Sequence, residues 1–244
     1  MICLGIDLAS RPRDTAACVL RFSGGEAHIQ TLAKNLDDDD LLDLAAETDV
    51  IAIDAPFGWP EEFVELVTAH HAGRPCAPDW EDADVRRELR LRRTDRWVWA
   101  RGFSGRPPLS VSTDLIAMPA LRCTGLLGRL GVTDRTGGRV VEAYPAAALA
   151  VWTGVSGGYK GKSGASRRAE LAAALEAEAP WLTVPPEAVE DDDNLDAMVT
   201  ALIGRAHALG RTHPVPDQYQ REALREGWIA VPREDTLAGL AYPS

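Results

Sequence analysis

Apolar residues gather into short runs over the first part of the chain, and each run is closed by polar or turn-forming residues. "ICLGIDLA" (2–9) is a strand-like run. "TAACVLRF" (15–22), "SGG" and "EAHIQTLA" (26–33) give two further strands around a glycine turn. "NLDDDDLLDLAAET" (35–48) has helical spacing, with Asp37 to Asp40 at its start, where acids suit the positive end of the helix dipole. "DVIAIDAP" (49–56) is again a buried strand. In a mixed α/β sheet the first and fourth strands can lie side by side and parallel, joined by a crossover. Both strands end on an aspartate, Asp7 and Asp54, and ligands bind at the carboxyl ends of neighbouring parallel strands.

From about 59 to 131 the pattern is mostly helical but broken by "GRPCAP" and "SGRPPL", as in an insertion between strands. "GRVVEAYPAAALAVW" (138–152) predicts a fifth strand ending at Glu142 and Tyr144, then a helix that Pro145 can start. A glycine, serine and lysine loop, "GGYKGKSGASRR" (157–168), leads into the amphipathic helix "RAELAAALEAEA". "EDDDNLDAMVTALIGRAHALG" (190–210) is the last strong helix, and "EGWIAVP" (226–232) suits a short edge strand. The fold class expected is α/β, with a mixed sheet of about five strands flanked by helices and a helical insertion.

At 244 residues the chain suits a single domain with such an insertion. Without a long apolar run or a basic N-terminal region, a soluble, cytoplasmic protein with no membrane partner is expected. Cys3, Cys18, Cys76 and Cys123 show no C-x-x-C spacing, so neither a zinc site nor a disulfide framework is indicated. The net charge of −11 argues against nonspecific coating of nucleic acid, which depends on neutralising phosphates. Yet eight arginines face only two acids between Arg86 and Arg106. That stretch either focuses an anionic substrate or pairs with surface acids.

Several acids stand at element ends that can converge: Asp7, Asp54, Glu142, and the Asp193/Asp196 pair, three apart on one helix face. Carboxylates forced together repel unless a cation lies between them, and Mg²⁺ or Mn²⁺ takes oxygen ligands. Such ions can serve phosphodiester hydrolysis, with water as the nucleophile and Glu142 as an additional ligand or a base. Taken singly each acid has a structural explanation: Asp193 as a helix cap, Asp7 in an Asx turn, Asp54 as a strand end.

"GIDLA" (5–9), "IDAPFGWP" (53–60), "RRTD" (92–95), "VVEAYPAA" (140–147), "YKGK" (159–162) and "DNLDAMVTAL" (193–202) resemble, in order, the signature blocks of the family called domain of unknown function 429. The resemblance covers nearly the whole chain and implies a ribonuclease H-like fold and a predicted nuclease. Within that superfamily the local pattern is similar to the Holliday-junction resolvases, which implies Asp7, Asp54, Asp193 and Asp196 as metal ligands. Asp54 departs from the glutamate usual there, and Glu142 has no clear counterpart. The family leaves the substrate open.

Arg93 and Asp95 suit a guanidinium held against a phosphate, or a plain structural pair. Tyr159 and Lys160, with Lys162, sit where a lysine can meet a phosphate as a point charge, or in a solvated loop. Trp97 and Trp99 suit base stacking or core packing. "DRTGGR" (134–139) looks like the second phosphate loop of actin-like kinases. Three functions follow: a metal-dependent nuclease or phosphodiesterase on a nucleic acid or nucleotide, an actin-like phosphotransferase, or an inactive binding scaffold.

Overall fold

The computed structural model describes residues 1–155 and 157–242. Five strands, β1 (Ile2–Asp7), β2 (Ala16–Ser23), β3 (Glu26–Lys34), β4 (Val50–Asp54) and β5 (Val140–Glu142), form one sheet in the order β3-β2-β1-β4-β5. β1 runs antiparallel to β2 and parallel to β4, and β4 runs parallel to β5. The result is a mixed α/β sheet flanked by helices, consistent with a ribonuclease H-like arrangement.

Between β3 and β4 lies α1 (Asp38–Ala46), started by a capping box in which Asp37 accepts from the amides of Asp39 and Asp40. α2 (Glu61–His71), α3 (Ala83–Arg90), α4 (Arg93–Ala100) and α5 (Ala117–Arg129) separate β4 from β5. After β5 come α6 (Pro145–Thr153), α7 (Ala165–Glu178), α8 (Pro186–Glu190), α9 (Asp192–Ala208) and α10 (Gln220–Glu226). α6 begins at Pro145, as expected of a residue that lacks only a surplus N–H. The stretch 226–232 contributes two isolated bridges, Ile229 beside Glu142 and Pro232 beside Thr212, rather than a strand.

Side chains alternate across a strand, so the sheet has two distinct faces. Cys3, Cys18, Val50, Ala52 and Val141 pack under α6, α7, α8 and α9, while Leu4, Ile6, Ile51, Ile53 and Val140 pack under α1 and α5. α5 therefore belongs to the sheet's own core, through Cys123, Leu126 and Leu127, although it lies in the stretch expected to be inserted. A third cluster joins Trp97 and Phe103 to Trp228 and Ile229. No described helix is long and apolar enough to cross a membrane.

α9 lies directly against β1. A Cβ on Gly5 would stand 2.2 Å from both the Ala197 carbonyl oxygen and the Ala201 amide nitrogen, which are backbone atoms that cannot turn aside. Ala197, Ala201 and Gly204 keep the facing side of α9 equally slim, with Gly204 over Val50 and Ala52.

The helices between β4 and β5 are tied down by one buried arginine. All five N–H groups of Arg92 are used: three bonds go to the Asp95 carboxylate and the Glu226 carbonyl, and two bind the Glu142 carboxylate at 2.7 and 2.9 Å. Arg92, Asp95 and Glu142 are each almost wholly buried.

Two outcomes test this framework. Gly5→Ala forces β1 and α9 apart and should cost about 3 kcal/mol or more in urea denaturation. Arg92→Met strands two buried carboxylates and should cost about 3–5 kcal/mol by the same measurement.

Candidate metal centre and adjoining cleft

β1 and β4 are in register, Asp7 opposite Asp54, so two carboxylates leave neighbouring strand ends about 4.8 Å apart on the face that α9 covers. The tight docking of α9 adds Asp196, which is 1 % exposed. One carboxylate oxygen from each of Asp7, Asp54 and Asp196 lies within 4.8 Å of the others. Two oxygens on one Mg²⁺ ion lie at most about 4.2 Å apart, twice its bond length, so sub-ångström adjustments bring all three into a coordination sphere.

Burial, then the nearby Asp196, pushes Asp54 up to about 8, and the same two causes raise Asp7 well above the carboxylate range. Asp196 is raised by its own burial, against the opposing pull of Lys160 and Tyr159. The Tyr159 hydroxyl donates to Asp196 Oδ1 at 3.0 Å, and Lys160 Nζ binds Asp196 Oδ2. Burial works against the charged ammonium, yet Asp196, Asp7 and Asp54 together hold Lys160 above the ordinary lysine range. Three acids thus face one ammonium, whose side chain is half exposed. An all-oxygen donor set short of positive charge fits a hard divalent cation.

The loop that carries Tyr159 and Lys160 is held by Arg168, which sequence reasoning passed over. Its guanidinium donates to the carbonyls of Tyr159, Gly161, Val189 and Glu190, clamping the loop onto the end of α8 just before α9. Arg168 shares a buried helical stripe with Leu171, Ala172 and Leu175. A lone arginine on the apolar face of α7 was the available signal. Gly164 lets the chain fold back, since a Cβ there would meet the Tyr159 carbonyl at 2.2 Å.

Other expected site residues are placed elsewhere. Asp193 does not join the cluster: it binds Lys34 at 2.7 Å, and Lys34 also bridges to Asp191. The cap of α9 is Asp191, whose side chain accepts from the amides of Asp193 and Asn194. Glu142 pairs with Ile53, one residue short of Asp54, so it shares the opposite sheet face from Asp7 and Asp54. Its oxygens are taken by Arg92 and the Phe57 amide, and with Arg92 and Asp95 it lines the cleft that Asp54 also borders.

Asp95 is held by Arg92 rather than Arg93, while Arg93 bridges to Glu62 and Glu88. Arg87 pairs with Asp84 and Arg96 with Glu88, so half of the arginines in that stretch, with Arg92 and Arg93, neutralise acids of the protein. Trp97 packs on Phe103 and Trp228 in the core, whereas Trp99 is exposed. "DRTGGR" lies at the far end of α9, with Gly137 against His207. That is about 16 Å along the axis from Asp196, so no pair of phosphate loops faces a common site.

Asp54 forms one wall of a cleft of about 830 Å³, within the size range of small-molecule sites. Tyr144, Tyr159, Lys160 and the segment Ser104–Leu109 also line the cleft. Burial pushes the Tyr144 phenol up to about 12, which keeps it a neutral donor.

No curated protein and no solved structure matches the chain. A family model described as "Protein of unknown function (DUF429)" matches residues 5–221, a span that holds every strand from Gly5 onward, the three converging aspartates and the cleft lining other than Ile229. The chain belongs to the DUF429 family.

Proposed function

We propose that the protein is a divalent-metal-dependent phosphodiesterase of the nuclease type. One observation carries the reading: Asp7, Asp54 and Asp196, from three separate elements, converge at the end of a cleft with too little positive charge of their own. Asp7, Asp54 and Asp196 would hold Mg²⁺ or Mn²⁺. Such an ion supplies neutralisation of phosphoryl charge and a more acidic water.

The protein's own groups do the positioning. Tyr159 and Lys160 fix the Asp196 carboxylate through both oxygens, and Arg168 fixes the loop that bears them. Lys160, half exposed beside Asp54, offers an ammonium to a phosphate oxygen at the cleft wall. The nucleophile is water, because the cleft lining offers no histidine among the described residues to activate a serine or cysteine. An actin-like phosphotransferase lacks support, since its two loops stand at opposite ends of α9.

Two experiments test the proposal. In chelator, Asp7→Asn and Asp54→Asn should each raise the melting temperature by a few degrees, because neutralising one buried carboxylate relieves the repulsion. Adding Mn²⁺ should raise the melting temperature of the parent and of Asp193→Asn, but not of Asp7→Asn or Asp54→Asn. Loss of the increment in Asp193→Asn alone would move the site away from the three aspartates.

For activity, the parent with Mg²⁺ or Mn²⁺ should cleave at least one of single-stranded, duplex, branched or RNA substrates, and Asp7→Asn should lower the rate at least about a hundredfold. Absence of any cleavage points instead to a binding scaffold, and a mutant as fast as the parent overturns the aspartate centre as the site of hydrolysis.

A further inference from the structure

We infer that the cleft beside Asp54 takes a small phosphodiester bearing one flat, largely apolar ring, on the scale of a mononucleotide ester, rather than a nucleic-acid duplex. This rests on the phosphodiesterase reading of the aspartate centre. The cleft adds what that centre does not specify, namely what flanks the scissile phosphate.

The cations favour a single phosphate. Duplex affinity comes from many lysine and arginine contacts spread along the backbone. Here the arginines at 87, 92, 93 and 96 are committed to acids of the protein. Two other cations border the cleft: Lys160, half exposed although paired with Asp196, and Arg106, which is exposed and forms no ion pair among the described residues. One diester carries one negative charge, and two cations suit it.

The polar groups point to a ligand. Ser104 lines the cleft, is 7 % exposed, and its Oγ has no hydrogen-bond partner. A buried hydroxyl left unmatched costs free energy that a ligand's donor or acceptor recovers. Tyr144 lines the cleft as well.

Part of the cleft lining is apolar. Pro107, Pro108, Leu109 and Ile116 form it, and Leu109 remains 55 % exposed although it faces a cavity. Apolar surface held open beside hydrogen-bonding groups suits the face of a ring with polar edges. A duplex keeps its bases stacked inside and cannot offer such a face without unstacking one, which costs a few kcal/mol.

The test is equilibrium binding of the p-nitrophenyl ester of thymidine monophosphate, with Ca²⁺ present and a short DNA duplex as competitor. Arg106→Ala and Leu109→Glu alter exposed side chains, and circular dichroism checks that both variants fold. The parent should bind the ester, each variant should bind at least about tenfold more weakly, and the duplex should fail to displace it. Equal binding by the variants, displacement by the duplex at equal phosphate concentration, or no binding by the parent overturns the inference.

Turnover with Mn²⁺ separates this result from the underlying reading. Duplex hydrolysis that requires Asp54 but occurs without ester binding overturns the cleft ligand and leaves the phosphodiesterase intact. Ester binding that depends on Arg106 and Leu109, with no hydrolysis of either substrate, overturns the phosphodiesterase alone.

Discussion

The contact between the backbone of Gly5 and that of α9 decides where the chemistry lies. With no Cβ on Gly5, the Ala197 and Ala201 peptides settle directly on β1. Any bulkier pairing would lift α9 by the width of a side chain and carry Asp196 out of reach of Asp7 and Asp54. The parallel register of β1 with β4 supplies two of the acids, and this contact supplies the third. The small residues of α9 are thus a requirement of the site as well as of the packing.

Two ionic clusters lie on opposite faces of the sheet and contrast in charge. Around Arg92 every donor is matched, and the Glu142 carboxylate is consumed in holding the helices between β4 and β5. Around Asp196 three acids share a single ammonium, and burial raises all three. The first is closed and structural, while the second is left short of positive charge. Strand alternation enforces the separation: Glu142 sits level with Ile53, not Asp54, and so belongs to the closed cluster.

Much of this was legible in the residues. Alternating apolar runs defined the strands and the parallel pairing of β1 with β4, and "GID" and "IDAP" located Asp7 and Asp54 at strand ends. The helical spacing of Asp193 and Asp196 showed that they share a face, but a face spans several positions. Only the depth of α9 against the sheet shows that Asp196 points inward while Asp193 reaches Lys34. The side on which Glu142 emerges depends on the register of β5, which a three-residue strand scarcely encodes. The choice between Arg92 and Arg93 as the buried arginine was hidden for a similar reason, since adjacent residues diverge by about 100° once a helix begins.

The same docking contact orders events in time. β1 to β4 lie within the first 54 residues, whereas α9 begins at Asp192. During synthesis Asp7 and Asp54 therefore stay hydrated while the sheet face beneath α9 stays bare. Closing such a distant pairing carries a large loop entropy, and chains dominated by non-local contacts fold slowly. The aspartate centre is among the last features to form. Until α9 arrives, the exposed apolar sheet face is the chain's main route to aggregation.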